Sequence, residues 1–131
     1  MVKILYMSQM VLIFLDGCSV LGPILFLILI NDIAHYIIAN KLTVFADDTS
    51  ATVSSKNIHS LSKCASECFM EMSRYCSQNG LVLNQTKTES VFFYPSHTSQ
   101  DVSILVRGFS GSLIQNKSVK FLGIHLDSTL T

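Results

Sequence analysis

Two adjacent aspartates interrupt a β-patterned run in the first half of the chain, in the stretch KLTVFADDTSATVSS beginning at Lys41. From Leu42 to Ala46 the residues alternate, with Thr43, Phe45 and Asp47 on one face and Leu42, Val44 and Ala46 on the other. After Asp47 and Asp48 the β-branched run Thr49 to Val53 resumes. Two short strands meeting at a polar pair read as a tight hairpin with the acid pair at its bend. The middle of the chain is thereby committed to antiparallel sheet.

The flanks of this hairpin read as helices. Upstream, Gly22-Pro23 opens a helix, because proline in the first turn has no N–H to leave unpaired. The stretch PILFLILINDIAHYII that follows is apolar nearly all round and is expected to be buried in a larger body, with Asn31 and Asp32 as exceptions. Downstream, Asn57 suits a helix cap. Ile58, Leu61, Cys64, Ala65, Cys68, Phe69, Met72, Tyr75 and Cys76 then recur at three- and four-residue steps until Gly80. The opposite face, Ser62, Lys63, Ser66, Glu67, Glu71 and Arg74, reads as a solvated surface. LVLNQTKTESVFFYP reads as two apolar strand pieces around a polar centre. VSILVRGFSGSLIQNKSVKFLGIHLD reads as a hairpin turned by Gly108 and Gly111, followed by another strand. The order gives an α+β fold with mainly antiparallel pairing. Residues 1–16 show no clear period and no caps.

Composition narrows the function classes. Of 131 residues, 49% are hydrophobic and 14% charged, so the chain can bury a core and does not have the composition of a disordered one. The formal net charge is +0, which gives no general attraction to nucleic acid or to an acidic membrane; a nucleic-acid role needs a local site. Cys18, Cys64, Cys68 and Cys76 are too few and too unevenly spaced for a disulfide scaffold. The four histidines are scattered, which disfavours a structural zinc site. The start, MVKILYMSQMVLIFLDGC, has a lysine, an apolar run and then Cys18, like an export or lipoprotein signal, although Asp16 fits poorly before such a cleavage site. Neither this run nor Val20 to Ile30 reaches the roughly 18 to 20 apolar residues that cross a bilayer. No membrane role is expected, and the two runs read as buried segments.

The acid pair has a plain explanation and a chemical one. Aspartate is a common turn residue, since its carboxylate bonds nearby backbone N–H groups. Two adjacent carboxylates repel each other, however, and one suffices for a turn. A divalent cation reverses that energy, because Mg²⁺ favours carboxylate oxygens. Two such ions about 4 Å apart activate an attacking 3′-oxygen and stabilise the leaving pyrophosphate in polymerases.

CSVLGPILFLILINDI, LTVFADDTSA, GLVLNQTKTESVFF and VKFLGIHLDSTL, in this order and spacing, resemble consecutive blocks of the reverse transcriptase domain of non-LTR (LINE-like) retrotransposons. The resemblance covers roughly residues 17 to 131 and implies a partial polymerase palm, an antiparallel hairpin sheet packed on helices, with the start of the thumb. It further implies RNA-directed DNA synthesis with Mg²⁺ (or Mn²⁺), an RNA template, a DNA primer and dNTPs. Asp47 matches the metal-binding catalytic carboxylate and Asp48 the second acid of the pair. Phe45, with Ala46, is placed beside the incoming nucleotide and primer end. Ser19, Gly22 and Pro23 match the block where template and nucleotide meet, with Asn31 and Asp32 at its end. Lys87 matches a lysine that serves as a candidate proton donor to the leaving pyrophosphate, flanked by Asn84 and Thr88; a solvated strand-end charge fits it equally. Lys120, Phe121, Leu122 and Gly123 resemble the primer grip, continued by Leu126 and Asp127.

The chain departs from that pattern in two places. Asp16-Gly17-Cys18 stands where the family usually reads Pro-Gln-Gly before the serine. The block carrying the family's other catalytic aspartate has no counterpart among the residues before Ser19, and the fingers and half the palm have none either. Residues 1–16 are therefore expected to be an unrelated or degenerate segment joined to a partial domain over 17–131, inactive alone and intracellular, in cytoplasm or nucleus, if expressed. A non-catalytic nucleic-acid-binding remnant and a small exported or membrane-attached protein are the alternatives.

Overall fold

The computed structural model describes residues 2–12, 20–37, 39, 41–45, 48–94, 104–108, 111–113 and 115–129. Helices and strands alternate in an α+β arrangement whose pairing is antiparallel throughout, except for one two-residue parallel bridge. The main sheet is built from β1 (Val2–Leu12), β2 (Lys41–Phe45), β3 (Asp48–Ser55), β4 (Leu81–Phe93) and β7 (Gln115–Asn116), in the order β2-β3-β1-β4-β7. The first segment, in which no period is visible, supplies the central strand. β1 bonds to β3 from Val2↔Ser55 to Gln9↔Asp48, and on its other edge to β4 from Lys3↔Phe93 to Leu12↔Leu81. Both of its edges are therefore satisfied by neighbours, as a strand inside a sheet requires.

The expected hairpin forms. β2 and β3 pair from Lys41↔Thr52 to Phe45↔Asp48. On β2, Leu42 and Val44 pack into the core with Ala51 and Val53 of β3. Covering them is α3 (Ile58–Gln78), whose stripe of Leu61, Ala65, Cys68, Phe69, Met72, Tyr75 and Cys76 is buried as the spacing predicts. The Asn57 side chain accepts from the Ser60 N–H at 2.7 Å, the expected cap. Gly80 follows the helix at φ 69°, a conformation that costs glycine nothing. Cys64, assigned by spacing to the apolar stripe, is instead exposed.

Three elements differ from the sequence reading. The apolar helix is two pieces, α1 (Leu21–Asn31) and α2 (Ile33–Tyr36), broken at Asp32. It is not buried all round: Ile30, Ile33 and Ile37 reach the core, while Ile24, Leu27 and Ile28 are more than half exposed. The two strand pieces after Gly80 form the single strand β4, continuous because Thr88 and Ser90 are buried within it. The C-terminal hairpin-plus-strand resolves into two hairpins. One pairs β5 (Arg107–Gly108) with β6 (Gly111–Ser112), the other β8 (Ser118–Phe121) with β9 (Ile124–Asp127). The second is anchored on β4 by Val119 against Val91, with Phe93 and Leu126 beside them. The polar face of α3 also does more than meet water. The Ser62 hydroxyl donates to the Leu105 carbonyl at 2.7 Å, and the Arg107 N–H donates to Ser66 Oγ at 3.1 Å, tying the chain before β5 to the helix.

Candidate active site

The β2–β3 hairpin sets the position of the second aspartate. Asp48 is the first residue of β3, directly opposite Phe45. Cross-strand partners share a face of the sheet. The neighbouring pair Val44↔Thr49 points the other way, toward the core, where Thr49 is buried and Val44 packs on the cluster under α3. Asp48 and Phe45 therefore stand on the face away from α3, where Asp48 is exposed and the Phe45 side chain is 63% accessible. An aromatic so exposed beside a carboxylate is placed to meet something other than this chain's core. The alternation grouped Phe45 with Asp47; the hairpin pairing groups it with Asp48. Asp47 and Ala46, like Ser19, lie outside the described residues.

Backbone register continues the row inward. Asp48 pairs with Gln9 of β1, and Gln9 pairs with Asn84 of β4, so Phe45, Asp48, Gln9 and Asn84 lie across four adjacent strands. Strand spacing puts Asp48 and Asn84 about 10 Å apart through the backbone. Between Met7↔Glu89 and Gln9↔Asn84 the register slips, leaving Gln85, Thr86, Lys87 and Thr88 opposite the single residue Ser8. Such a bulge re-aims side chains. Lys87 is carried on it, exposed, at the same end of the sheet as Asp48. The bulge is held internally: Thr88 Oγ1 donates to the Asn84 carbonyl at 2.8 Å, and Thr86 Oγ1 donates to Asn84 Oδ1 at 2.7 Å.

The remaining predicted residues divide. Gly22 and Pro23 occupy the first turn of α1, where proline was expected. Lys120 and Phe121 lie on β8, and Leu122 and Gly123 form its turn at φ 46° and 87°, a mirror-image hairpin turn that glycine favours. This hairpin is rooted beside Val91, whose β1 partner is Leu5. Leu5 is four residues along β1 from Gln9, about 13 Å at strand rise, so the root lies away from the Asp48 row. The Asp127 carboxylate accepts from the Thr129 N–H and hydroxyl, both at 3.2 Å, a local turn contact.

Donors for a cation are sparse in this arrangement. Among the described residues no three of His, Cys, Asp and Glu gather closely enough to hold a metal ion. The residues that sequence reasoning missed are those of β1. Its register pairs Gln9 with Asp48, and the segment Val2–Leu12 contains no acidic residue at all. An apolar run without alternation gave no signal of that placement.

No curated protein and no solved structure matches the chain. The family model described as Reverse transcriptase (RNA-dependent DNA polymerase) matches residues 17–126, from the segment before α1 through to β9. That span contains the Asp48 hairpin, the Lys87 bulge and the β8–β9 hairpin in one match, and the chain belongs to the reverse transcriptase family.

Proposed function

We propose that this chain is a palm portion of a non-LTR retrotransposon reverse transcriptase that has kept the frame of the polymerase site but not its chemistry. In the parent activity a primer 3′-OH attacks the α-phosphate of a dNTP and releases pyrophosphate; divalent ions, Mg²⁺ or Mn²⁺, would supply charge to activate that hydroxyl and to stabilise the leaving group. Asp47 and Asp48 are the residues that would hold such an ion. Their carboxylates suit a hard cation.

The donor set is short of the pair of ions. The observation that carries this reading is the register of β1: the strand hydrogen-bonded beside Asp48 is Val2–Leu12, a segment with no acidic residue, so it brings no further carboxylate next to the acid pair's strand. Without a further carboxylate, the acid pair alone would not offset the mutual repulsion of two divalent cations. Residues 1–16 are a segment of other origin, of which Val2–Leu12 lies at the centre of the sheet.

What the site can still do is bind. Phe45 offers an open ring for a base to stack on. Lys87 and Lys120 are exposed cations suited to phosphate. Gly22 and Pro23, with Ser19 before them, are assigned to the template side, and Phe121, Leu122 and Gly123 to the primer side. Nucleic-acid contact without synthesis is thus the reading preferred over an exported or membrane-attached protein; among the described residues no helix is long and apolar enough to cross a membrane.

The test is primer extension on an RNA template with Mg²⁺ or Mn²⁺, beside a gel shift on the same RNA–DNA hybrid. The expected result is no incorporation above an Asp47→Ala control, and a hybrid shift that weakens when Phe45 and Lys87 are both changed to alanine. Template-dependent incorporation by the native chain that Asp47→Ala abolishes would overturn the proposal.

A further inference from the structure

A recess of about 330 Å³ lies where α1 and α3 end, lined among others by Leu29, Asp32, Tyr36, Tyr75, Gln78 and Asn79. Several independent features give it a negative, aromatic character. The C-terminus of a helix is the negative end of its dipole, and α3 ends here at Gln78, beside the junction at Asp32 where α1 gives way to α2. Neither α1 nor α3 carries a basic residue in its last turn, where one would ordinarily complement that charge. The Asp32 carboxylate adds a full charge. Among the described residues it takes part in no ion pair, and the nearby His35 on α2, whose backbone N–H donates to the Asp32 carbonyl, does not line the recess.

Two tyrosine rings complete the wall. Tyr36 and Tyr75 lie 5.5 Å apart between centroids, at 41° to one another. Tyr75 is fixed: it is buried and its hydroxyl donates to the Leu29 carbonyl. Burial, and then the charge of Asp32, push its ionisation upward. Tyr36 is the open partner, 65% exposed. Asn79 uses its amide N–H on the Tyr75 carbonyl at 2.8 Å. The Asp32 carboxylate, the C-terminal end of α3 and the exposed Tyr36 ring thus line one recess, with no basic side chain among its lining residues.

We propose that this recess binds a guanidinium group carried on an aliphatic chain, the chemistry of an arginine side chain. A planar guanidinium presents donors in a fork that matches a carboxylate, and its face stacks on a tyrosine ring. The proposal does not depend on the reading of the acid-pair hairpin, because it uses none of those residues.

The test uses the full chain at micromolar concentration. With no tryptophan in the sequence, and with two of the four tyrosines, Tyr36 and Tyr75, lining the recess, tyrosine fluorescence of a Tyr6→Phe, Tyr94→Phe background reports on it. N-acetyl-arginine amide is the probe, and N-acetyl-citrulline amide is its neutral isostere. The expected result is a saturable change with the arginine probe in the millimolar range or tighter. It should weaken at least about tenfold for citrulline and for Asp32→Asn, as loss of a charge-assisted pair implies. Tyr36→Ala should weaken it by a smaller factor. Free arginine in place of the amide separates the sources: preference for the amide indicates a peptide arginine, preference for the free form the amino acid. Absence of saturation, or equal response to citrulline, would overturn the proposal. Asp32 is exposed, so Asp32→Asn is expected to fold; should it not, the citrulline comparison on the unchanged chain decides.

Discussion

At the scale of single residues, close approaches carry more consequence than charges. Gly108 in β5 sits against the ring of Phe69, the largest fully buried side chain of α3. A Cβ at that position would meet Phe69 Cε1 at 2.8 Å and the Gly111 carbonyl at 3.3 Å. The ring is locked in the core and the carbonyl belongs to the paired strand, so neither yields cheaply. Gly108→Ala is expected to destabilise by about 1–3 kcal/mol, the range for overpacking. A thermal melt should show the midpoint falling by several degrees; an unchanged melt would mean the β5–β6 hairpin does not pack on α3. This glycine was read from the sequence only as a turn former. Its tighter constraint comes from Phe69, 39 residues away along the chain, which no local pattern announces.

At the scale of elements, α3 is where pattern and structure agree best, because a helix whose one stripe packs and whose other face meets mostly water has a period that survives in the sequence. Its buried thiols give it a pH signature. Burial, and then the neighbouring Glu71 carboxylate, push Cys68 up to about 12; burial pushes Cys76 up to about 11. Both start from an ordinary value of 9.0, so the folded state holds these protons more tightly than the unfolded one. Their contribution to stability is complete below about pH 9 and is lost as pH rises toward 11 and 12. Denaturant midpoints are expected to fall over that alkaline window, and Cys68→Ala should flatten the fall while lowering stability at neutral pH. At pH 8 a thiol reagent should modify exposed Cys64 in the native chain and leave Cys68 and Cys76 until the chain unfolds. Early labelling of Cys68 would show that α3 opens locally.

At the scale of the whole molecule, α1 is an apolar helix without a matching cover among the described residues. Val20, Leu21, Ile24, Leu25, Leu27 and Ile28 are 39–88% exposed, and they adjoin one another along a single helix. A contiguous patch of that kind drives association in water. The chain is expected to self-associate on expression. Ile24→Glu together with Ile28→Glu should shift it toward monomer in sedimentation without altering the far-ultraviolet spectrum, since neither residue reaches the core. A native chain that stays monomeric at high concentration would contradict this.

What the sequence by itself determined were the elements whose signal is local. The Asn57 cap, the α3 stripe, the pairing of Leu42–Val44 with Thr49–Val53 around the aspartates, and the family motifs all rest on neighbours a few residues apart. Only the tertiary structure decided where β1 goes, that Gln9 stands beside Asp48, and that α1 keeps most of its apolar surface in the open. An even apolar run carries no period to mark a strand or a buried face. Its placement follows from which backbone edges and surfaces the rest of the fold leaves unsatisfied, a condition set by residues far along the chain.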